Sequence, residues 1–273
     1  MTMPEMEVLE LRVLGPFEAV AGGRLVGLGG PRIRGVLARL AVVPGRTVSV
    51  AALVAELWGP RPPEDAYRTV RTYVSRLRAA LRPAGPHELL VTRAPGYQLR
   101  TEQVAIDAVR FERAVAEGCR APGPRVAAER LTQALELWRG EPFAEFSEVG
   151  EHPGLAAEAA RLERLRLTAI EARAEAALQL GLDAQVAAEL EELVRDHPTR
   201  ERLWGGLMVA LYRSGRQADA LSAYRSARRV LVGEHGVEPS RALVEIHRRV
   251  LRQDPALDLD RSASAVRAGR VDG

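Results

Sequence analysis

The chain has 273 residues, 47% hydrophobic and 27% charged, a balance typical of a globular protein with room for two domains. All 39 basic residues are arginine, and the lack of lysine excludes the lysine-dependent sites of P-loop nucleotidases, protein kinases and Schiff-base enzymes. Residues 1–100 hold 14 arginines against 8 acidic residues, and residues 101–273 hold 25 against 28, so we expect an N-terminal domain that binds a polyanion.

The N-terminal residues and the cysteine content indicate where the chain acts. The segment MTMPEMEVLE is acidic and lacks the regions of a signal peptide, and no run of about 18 apolar residues occurs. Cys119 is the single cysteine, which excludes an intramolecular disulfide and a cysteine-rich zinc site. We therefore expect a cytoplasmic protein without membrane contact, metal or other cofactor.

Short strands and two helices are predicted for the first sixty residues. Apolar residues alternate in LELRVLGPFEAV, and the following RLVGL completes a small antiparallel sheet. The segment PRIRGVLARLAVV, residues 31–43, begins with Pro31 and places its apolar residues on one helical face. Ser49 is the expected N-cap of the next helix, AALVAELWG.

A third helix and a hairpin complete the first domain. The helix is predicted from about Glu64 to Leu81, and two β-like runs, residues 89–92 and 97–100, are joined by Arg93 to Gly96. A sheet, three helices and a terminal hairpin follow each other in a winged helix-turn-helix domain of the response-regulator (OmpR/PhoB) type. We assign this DNA-binding domain to residues 8–101.

The remainder of the chain is predicted to be helical. From Asp107 onward helical periodicity dominates, and a repeat of 34 residues, the length of a tetratricopeptide unit, places Gly181 and Gly215 in equivalent turns. The predicted fold is mostly α with a small β content, with a tetratricopeptide-like helical domain over residues 104–257. Residues 258–273 are predicted to be a disordered tail.

The third helix holds the candidate site. Helical phase places its apolar residues on one side and a strip of arginines, short hydroxyls and a methyl on the other, with no acid from Arg68 to Arg82. Arginine pairs with guanine or phosphate, and small side chains permit close approach to a major groove. We expect three residues to read bases: Arg68, Thr72 and Ser75. Four are expected to hold phosphates: Arg71, Arg76, Arg78 and Arg93, the last at the hairpin tip.

The chain also resembles a known family over residues 8–257. The segments RVLGPFEAV, RTVRTYVSRLRAAL, VTRAPGYQL, ALELWRGEPF and HPTRERLWGGLMVALYRSGRQADALSAYRSARRVL are similar to those of the actinobacterial antibiotic regulatory proteins. The resemblance implies a winged helix joined to a bacterial transcriptional activation domain, in an activator of a secondary-metabolite gene cluster. It further implies binding to direct repeats near promoters as a side-by-side homodimer, with recruitment of RNA polymerase holoenzyme through its sigma and core subunits.

An enzyme, a repressor and a ligand-responsive regulator are the alternatives to this function. The five histidines show no HExxH spacing and no GxSxG motif occurs, so we do not expect an enzyme. DNA contacts do not fix the sign of regulation, so a DNA-binding repressor stays an alternative. A ligand-responsive regulator that uses the tetratricopeptide-like domain as its sensor is another.

Overall fold

The computed structural model describes residues 9–83, 89–102, 104–147 and 152–259. Contacts between residues divide the chain into two compact units. The first consists of Met1–Ala116 with Gln133–Thr168, and the second of Glu117–Thr132 with Ala169–Gly273.

The described part of the chain is mostly helical with short strands. The strands are β1 (Leu9–Arg12), β2 (Glu18–Ala21), β3 (Arg24–Leu25), β4 (Thr47–Ser49), β5 (Leu90–Arg93), β6 (Gly96–Leu99) and β7 (Val104–Ile106). The helices are α1 (Pro31–Val42), α2 (Val50–Trp58), α3 (Ala66–Leu81), α4 (Asp107–Cys119), α5 (Pro124–Leu135), α6 (Pro153–Gln179), α7 (Asp183–Asp196), α8 (Glu201–Arg213), α9 (Gln217–His235) and α10 (Arg241–Arg252). Short 3-10 turns occupy Ala144–Phe146 and Pro255–Leu257.

The N-terminal sheet has the strand order β3-β2-β1-β7. The antiparallel pairing of β1 with β2 and of β2 with β3 agrees with the predicted alternation. Strand β7 was not predicted, and it pairs in parallel with β1, so that Leu9 lies opposite Val104. Leu9 and Leu11 of β1 are fully buried.

Helices α1 to α3 pack against one another and form the core of the winged helix. Helix α1 begins at Pro31, as expected, and the Ser49 hydroxyl caps α2 by accepting a hydrogen bond from the Ala52 amide at 3.1 Å. Helix α3 begins at Ala66, two residues after the predicted start. Leu37 and Leu77 are fully buried in the shared core.

The second sheet carries the wing and has the strand order β4-β6-β5. The hairpin of β5 and β6 is present, but each strand lies one residue nearer to the turn than predicted, so that only two residues connect Arg93 to Gly96. Strand β4 was not predicted, and it pairs Val48 with Tyr97. A Cβ atom on Gly96 would lie 1.8 Å from the Val48 carbonyl oxygen, so this close pairing requires glycine.

Asp107, which follows the wing in the sequence, is connected by hydrogen bonds to the backbone just after β1. Its carboxylate accepts hydrogen bonds from the amides of Val13 at 2.8 Å, Leu14 at 3.1 Å and Ala108 at 2.8 Å. Burial raises the pKa of Asp107, and the three amide donors oppose that rise. Farther along the chain, the Arg139 amide donates to the Leu14 carbonyl at 2.7 Å.

Glu56 makes a similar connection from α2. Its buried carboxylate accepts hydrogen bonds from the amides of Gly154 and Leu155 at 3.0 Å, in the first turn of α6. Arg39 of α1 supplies the counter-charge, with Nε 3.3 Å from Glu56 Oε2. These four residues belong to the first unit, so that unit extends well past the wing.

The second unit repeats one helix-turn-helix at the predicted spacing. Gly181 and Gly215 both have a φ of 78°, the left-handed conformation that glycine adopts without strain. The turns match in their hydrogen bonds: the Leu182 amide donates to Ala177 at 3.1 Å, and the Arg216 amide to Leu211 at 2.9 Å. The donor and the acceptor of the second bond each lie 34 positions after those of the first. The repeat found in the sequence is therefore also a repeat of backbone geometry.

Two sequence predictions extend to parts of the chain without a structural description. The predicted tail, residues 258–273, lies outside the described residues except for its first two positions. The domain limits 8–101 and 104–257 stay predictions. Among the described helices, none combines the length and the apolar character that crossing a bilayer needs.

Candidate DNA-binding surface

Helix α3 has a buried face and an exposed face, as its sequence predicts. The buried face holds Ala66, Val70, Val74, Leu77 and Leu81. All the candidate residues on this helix are exposed, namely Arg68, Arg71, Thr72, Ser75, Arg76 and Arg78. The 3.6-residue period of the helix produces this separation, because the apolar side chains recur on the side that faces α1 and α2.

Three arginines on this face are available for a ligand. Within the described residues, the side chains of Arg68, Arg71 and Arg76 form no hydrogen bond and no ion pair. A guanidinium ion offers five N–H donors in a planar fork that fits a phosphate or a guanine edge. The exposed face of α3 therefore presents uncompensated positive charge and unused donors.

The two hydroxyl residues, Thr72 and Ser75, lie between these arginines in the sequence, and their short side chains project little from the helix. The Thr72 hydroxyl donates to the Arg68 carbonyl oxygen at 3.3 Å, one turn back along the helix. Ser75 is exposed and follows Thr72 by almost one helical turn. Small side chains at both positions leave room for the helix to approach the floor of a groove.

Arg78 differs from the other arginines because it contacts the wing. Its Nε donates to the Leu90 carbonyl oxygen at 2.9 Å, and its Nη2 donates to the Thr92 hydroxyl at 2.9 Å. The guanidinium also lies 5.8 Å from the centre of the Tyr97 ring. The structure thus gives Arg78 a part in fixing β5 and β6 against α3, and its phosphate contact stays a prediction.

Arg93 lies at the end of β5, not inside a longer turn as the sequence suggested. It is exposed, pairs with Gly96 across the hairpin, and has no ion pair among the described residues. The Pro95 carbonyl oxygen accepts a hydrogen bond from the Val50 amide at 3.2 Å, which ties the hairpin end to α2. Arg93 therefore lies at the end of a strand whose hairpin is attached to α2 by a backbone hydrogen bond.

Three features of this surface were not predicted from the sequence. Tyr67 is 53% exposed at the start of α3, beside Arg68. Tyr73 stacks on Trp58 of α2, with ring centroids 6.3 Å apart. The contacts of Arg78 with the wing carried no sequence signal, because helical phase does not report which neighbouring element reaches a side chain.

The described residues of this surface show no arrangement suited to a metal ion. In the described part of the chain, no group of three or more His, Cys, Asp or Glu side chains could hold one. The guanidinium and hydroxyl groups of this surface are suited to binding an anion.

Comparison with known proteins connects both parts of the chain to transcription. Residues 29–99 match the model of the transcriptional regulatory protein C-terminal domain, and residues 106–251 match that of the bacterial transcriptional activator domain. The first range contains the whole of α3 and the hairpin of β5 and β6.

Two named relatives show how the chain compares over its length. The regulatory protein DnrI of Streptomyces peucetius is 38% identical over 262 residues, which cover 92% of this chain and 94% of the relative. The regulatory protein AfsR of Streptomyces griseus is 41% identical over 256 residues, covering 92% of this chain. The chain spans about a quarter of the length of AfsR.

A solved structure supports the same grouping. The structure of Mycobacterium tuberculosis EmbR in complex with a low-affinity phosphopeptide matches with a TM-score of 0.85 and 35% identity, covering 96% of this chain and 70% of that chain. With a winged helix, an activator domain and relatives of this similarity, the chain belongs to the Streptomyces antibiotic regulatory protein family of transcriptional activators.

Proposed function

We propose that this chain activates transcription of a secondary-metabolite gene cluster by binding direct repeats near its promoters. The exposed face of α3 carries the proposal, because the side chains of Arg68, Arg71 and Arg76 have no partner among the described residues. Arg68, Thr72 and Ser75 read base edges, since they line the middle of that face. Arg71, Arg76, Arg78 and Arg93 hold phosphates and fix the register of the helix in the groove.

The helical domain supplies the activating step in this proposal. Two copies of the chain bind side by side on the repeats, and the helical domains recruit RNA polymerase holoenzyme through its sigma and core subunits. The match to the bacterial transcriptional activator domain over residues 106–251 supports this assignment. The action on chromosomal DNA places the protein in the cytoplasm, at the nucleoid.

Genome-wide footprinting of bound DNA tests the proposal directly. Binding to pairs of direct repeats upstream of biosynthetic genes is the expected result, and the repeat spacing gives the arrangement of the two copies. Binding without repeats, or without preference for promoters, would contradict it. Because phosphate contacts release counterions, the affinity for the footprinted DNA should fall steeply with salt.

The sign of regulation needs a separate experiment. Run-off transcription from a footprinted promoter, with purified RNA polymerase holoenzyme, should rise when the full chain is added. A fall in transcript would instead identify a repressor. The double substitution Arg68→Ala with Ser75→Ala is the control, because it should abolish the effect while leaving the helical domain unchanged.

A further inference from the structure

The second unit contains a cavity of about 400 Å³ between α6, α7, α8 and the start of α10. This volume lies in the range of pockets that hold small organic molecules. Apolar side chains form most of its wall: Ala174, Leu178, Leu190, Leu203, Val209, Leu243 and Ile246. It involves no residue of α3, so it is independent of the DNA-binding surface.

Two adjacent glycines of α8 line the cavity. Glycine inside a helix costs about 1 kcal/mol relative to alanine, so two in succession call for a reason of packing or function. A Cβ atom on Gly205 would lie 3.0 Å from Ile246 Cδ1, and one on Gly206 would lie 3.0 Å from Leu190 Cδ1. Bare backbone at both positions therefore sets the shape of this wall.

The charged groups of the cavity are mostly acidic. Glu171 is 8% exposed, with Oε1 3.1 Å from Arg200 Nε and Oε2 3.8 Å from Arg202 Nη1. Glu175 lies 3.2 Å from Arg202 Nη2, and Glu201 accepts a hydrogen bond from the Ser240 amide at 2.7 Å. Three carboxylates thus line the cavity with one guanidinium, that of Arg202.

The Arg202 side chain is the charged group of this cavity that a ligand can displace most easily. The side chains of Arg202 and Glu175 are 65% and 62% exposed, and an ion pair so open to water contributes little to stability. A ligand cation can take the place of Arg202 beside Glu175 and Glu171 at small cost. An anionic ligand is disfavoured, because three carboxylates line the cavity and Arg202 is the one guanidinium among the lining residues.

From the apolar wall and the acidic groups together, we infer that this cavity binds a small amphipathic cation, with its apolar body over Gly205 and Gly206 and its ammonium or guanidinium group beside Glu175 and Glu171. Apolar burial gives the affinity and the carboxylates select the charge. The chain would then respond to a basic small molecule through its helical unit.

Three probes that share one ring system test the charge preference on the full-length chain: 1-naphthylmethylamine, 1-naphthylmethanol and 1-naphthoate. Calorimetric titration should show one site for the amine, with an affinity about tenfold above that of the alcohol and above that of the carboxylate. Equal affinity for amine and carboxylate, or no binding of any probe, would overturn the inference.

Two variants locate the site. Ala242 is exposed at the cavity, so Ala242→Trp should cover it, keep the fold and abolish binding of amine and alcohol alike. Glu175→Gln should weaken the amine by about threefold to tenfold and leave the alcohol unchanged. Glu192→Gln removes an exposed carboxylate of α7 that does not line the cavity, and it should match the parent chain.

Thermal unfolding of each variant confirms that it is folded before titration. Undiminished binding to a folded Ala242→Trp variant would place the ligand elsewhere and contradict the inference. An equal loss of amine binding in Glu175→Gln and Glu192→Gln would do the same, because it would reduce the charge preference to a general effect of net charge.

Discussion

Arg68 and Arg71 lie almost one helical turn apart on α3, but different roles are expected of them. Arg68→Ala should weaken binding to the footprinted repeat by about 1 to 3 kcal/mol and reduce its preference over a scrambled duplex, because base-edge contacts carry sequence information. Arg71→Ala should weaken both duplexes alike and lower the slope of log affinity against log salt by about 1. Fluorescence anisotropy over a salt series measures both effects.

The control for this pair is Arg24→Ala. Arg24 is an exposed arginine of β3 and leaves α3 and the wing untouched. It should change neither affinity nor preference. If Arg68→Ala lost the same free energy on both duplexes, the assignment of Arg68 to base reading would be wrong.

Arg78 allows a test of positioning against direct contact. Arg78→Ala removes two hydrogen bonds between α3 and β5, so we expect a loss of about 1 kcal/mol in stability and weaker DNA binding. Arg78→Lys keeps the positive charge but cannot donate to Leu90 and Thr92 from one planar fork. If Arg78 acts by holding the wing, the lysine variant should bind DNA as weakly as the alanine variant. Full affinity in Arg78→Lys would show that its charge on a phosphate is the main contribution.

At the scale of elements, α1, α2 and α3 could be predicted because their apolar residues recur at helical spacing over two or more turns. Strands β4 and β7 could not, since three residues carry too little alternation. Their existence depends on partners far along the chain, as with Val48 opposite Tyr97. The exposure of Arg68 followed from the phase of its own helix. The contacts of Arg78 did not, because they depend on the hairpin.

The packing of α9 on α10 predicts a pH dependence. His247 stacks on Tyr224 with ring centroids 3.8 Å apart. Burial lowers the pKa of His247, and the positive charge of Arg225 lowers it further by a smaller amount. A lowered pKa in the folded state favours the neutral imidazole, so this contribution to stability is present above the unfolded pKa. It is lost as the pH falls through the folded pKa.

We therefore expect the free energy of unfolding to fall between about pH 7 and about pH 5. Urea denaturation at several pH values should show a smaller fall in His247→Phe, which keeps the stacking without the titration. His235→Gln changes an exposed histidine at the end of α9 and should retain the pH dependence of the parent chain. An identical pH profile in His247→Phe would exclude this histidine as the cause.

At the scale of the whole molecule, composition and contacts divide the chain differently. The charge asymmetry and the end of the wing suggested a boundary near Thr101. The first compact unit instead includes Gln133–Thr168, which carries Arg139 and the start of α6. Sequence periodicity could not reveal this, because the connections are single buried groups: Asp107 on the amides after β1, and Glu56 on the first turn of α6.

A truncation experiment measures what those connections contribute. A fragment of residues 1–101 lacks β7, the Asp107 carboxylate and the two amides that donate to Glu56. Of the contacts described for Glu56, the fragment retains the ion pair with Arg39. Each lost hydrogen bond at a buried group costs about 1 kcal/mol or more, and together they approach the whole stability of a small domain. The fragment 1–101 should therefore unfold at a much lower temperature than the fragment 1–168. Circular dichroism measures the two melting curves, and equal midpoints would show that the winged helix is complete at residue 101.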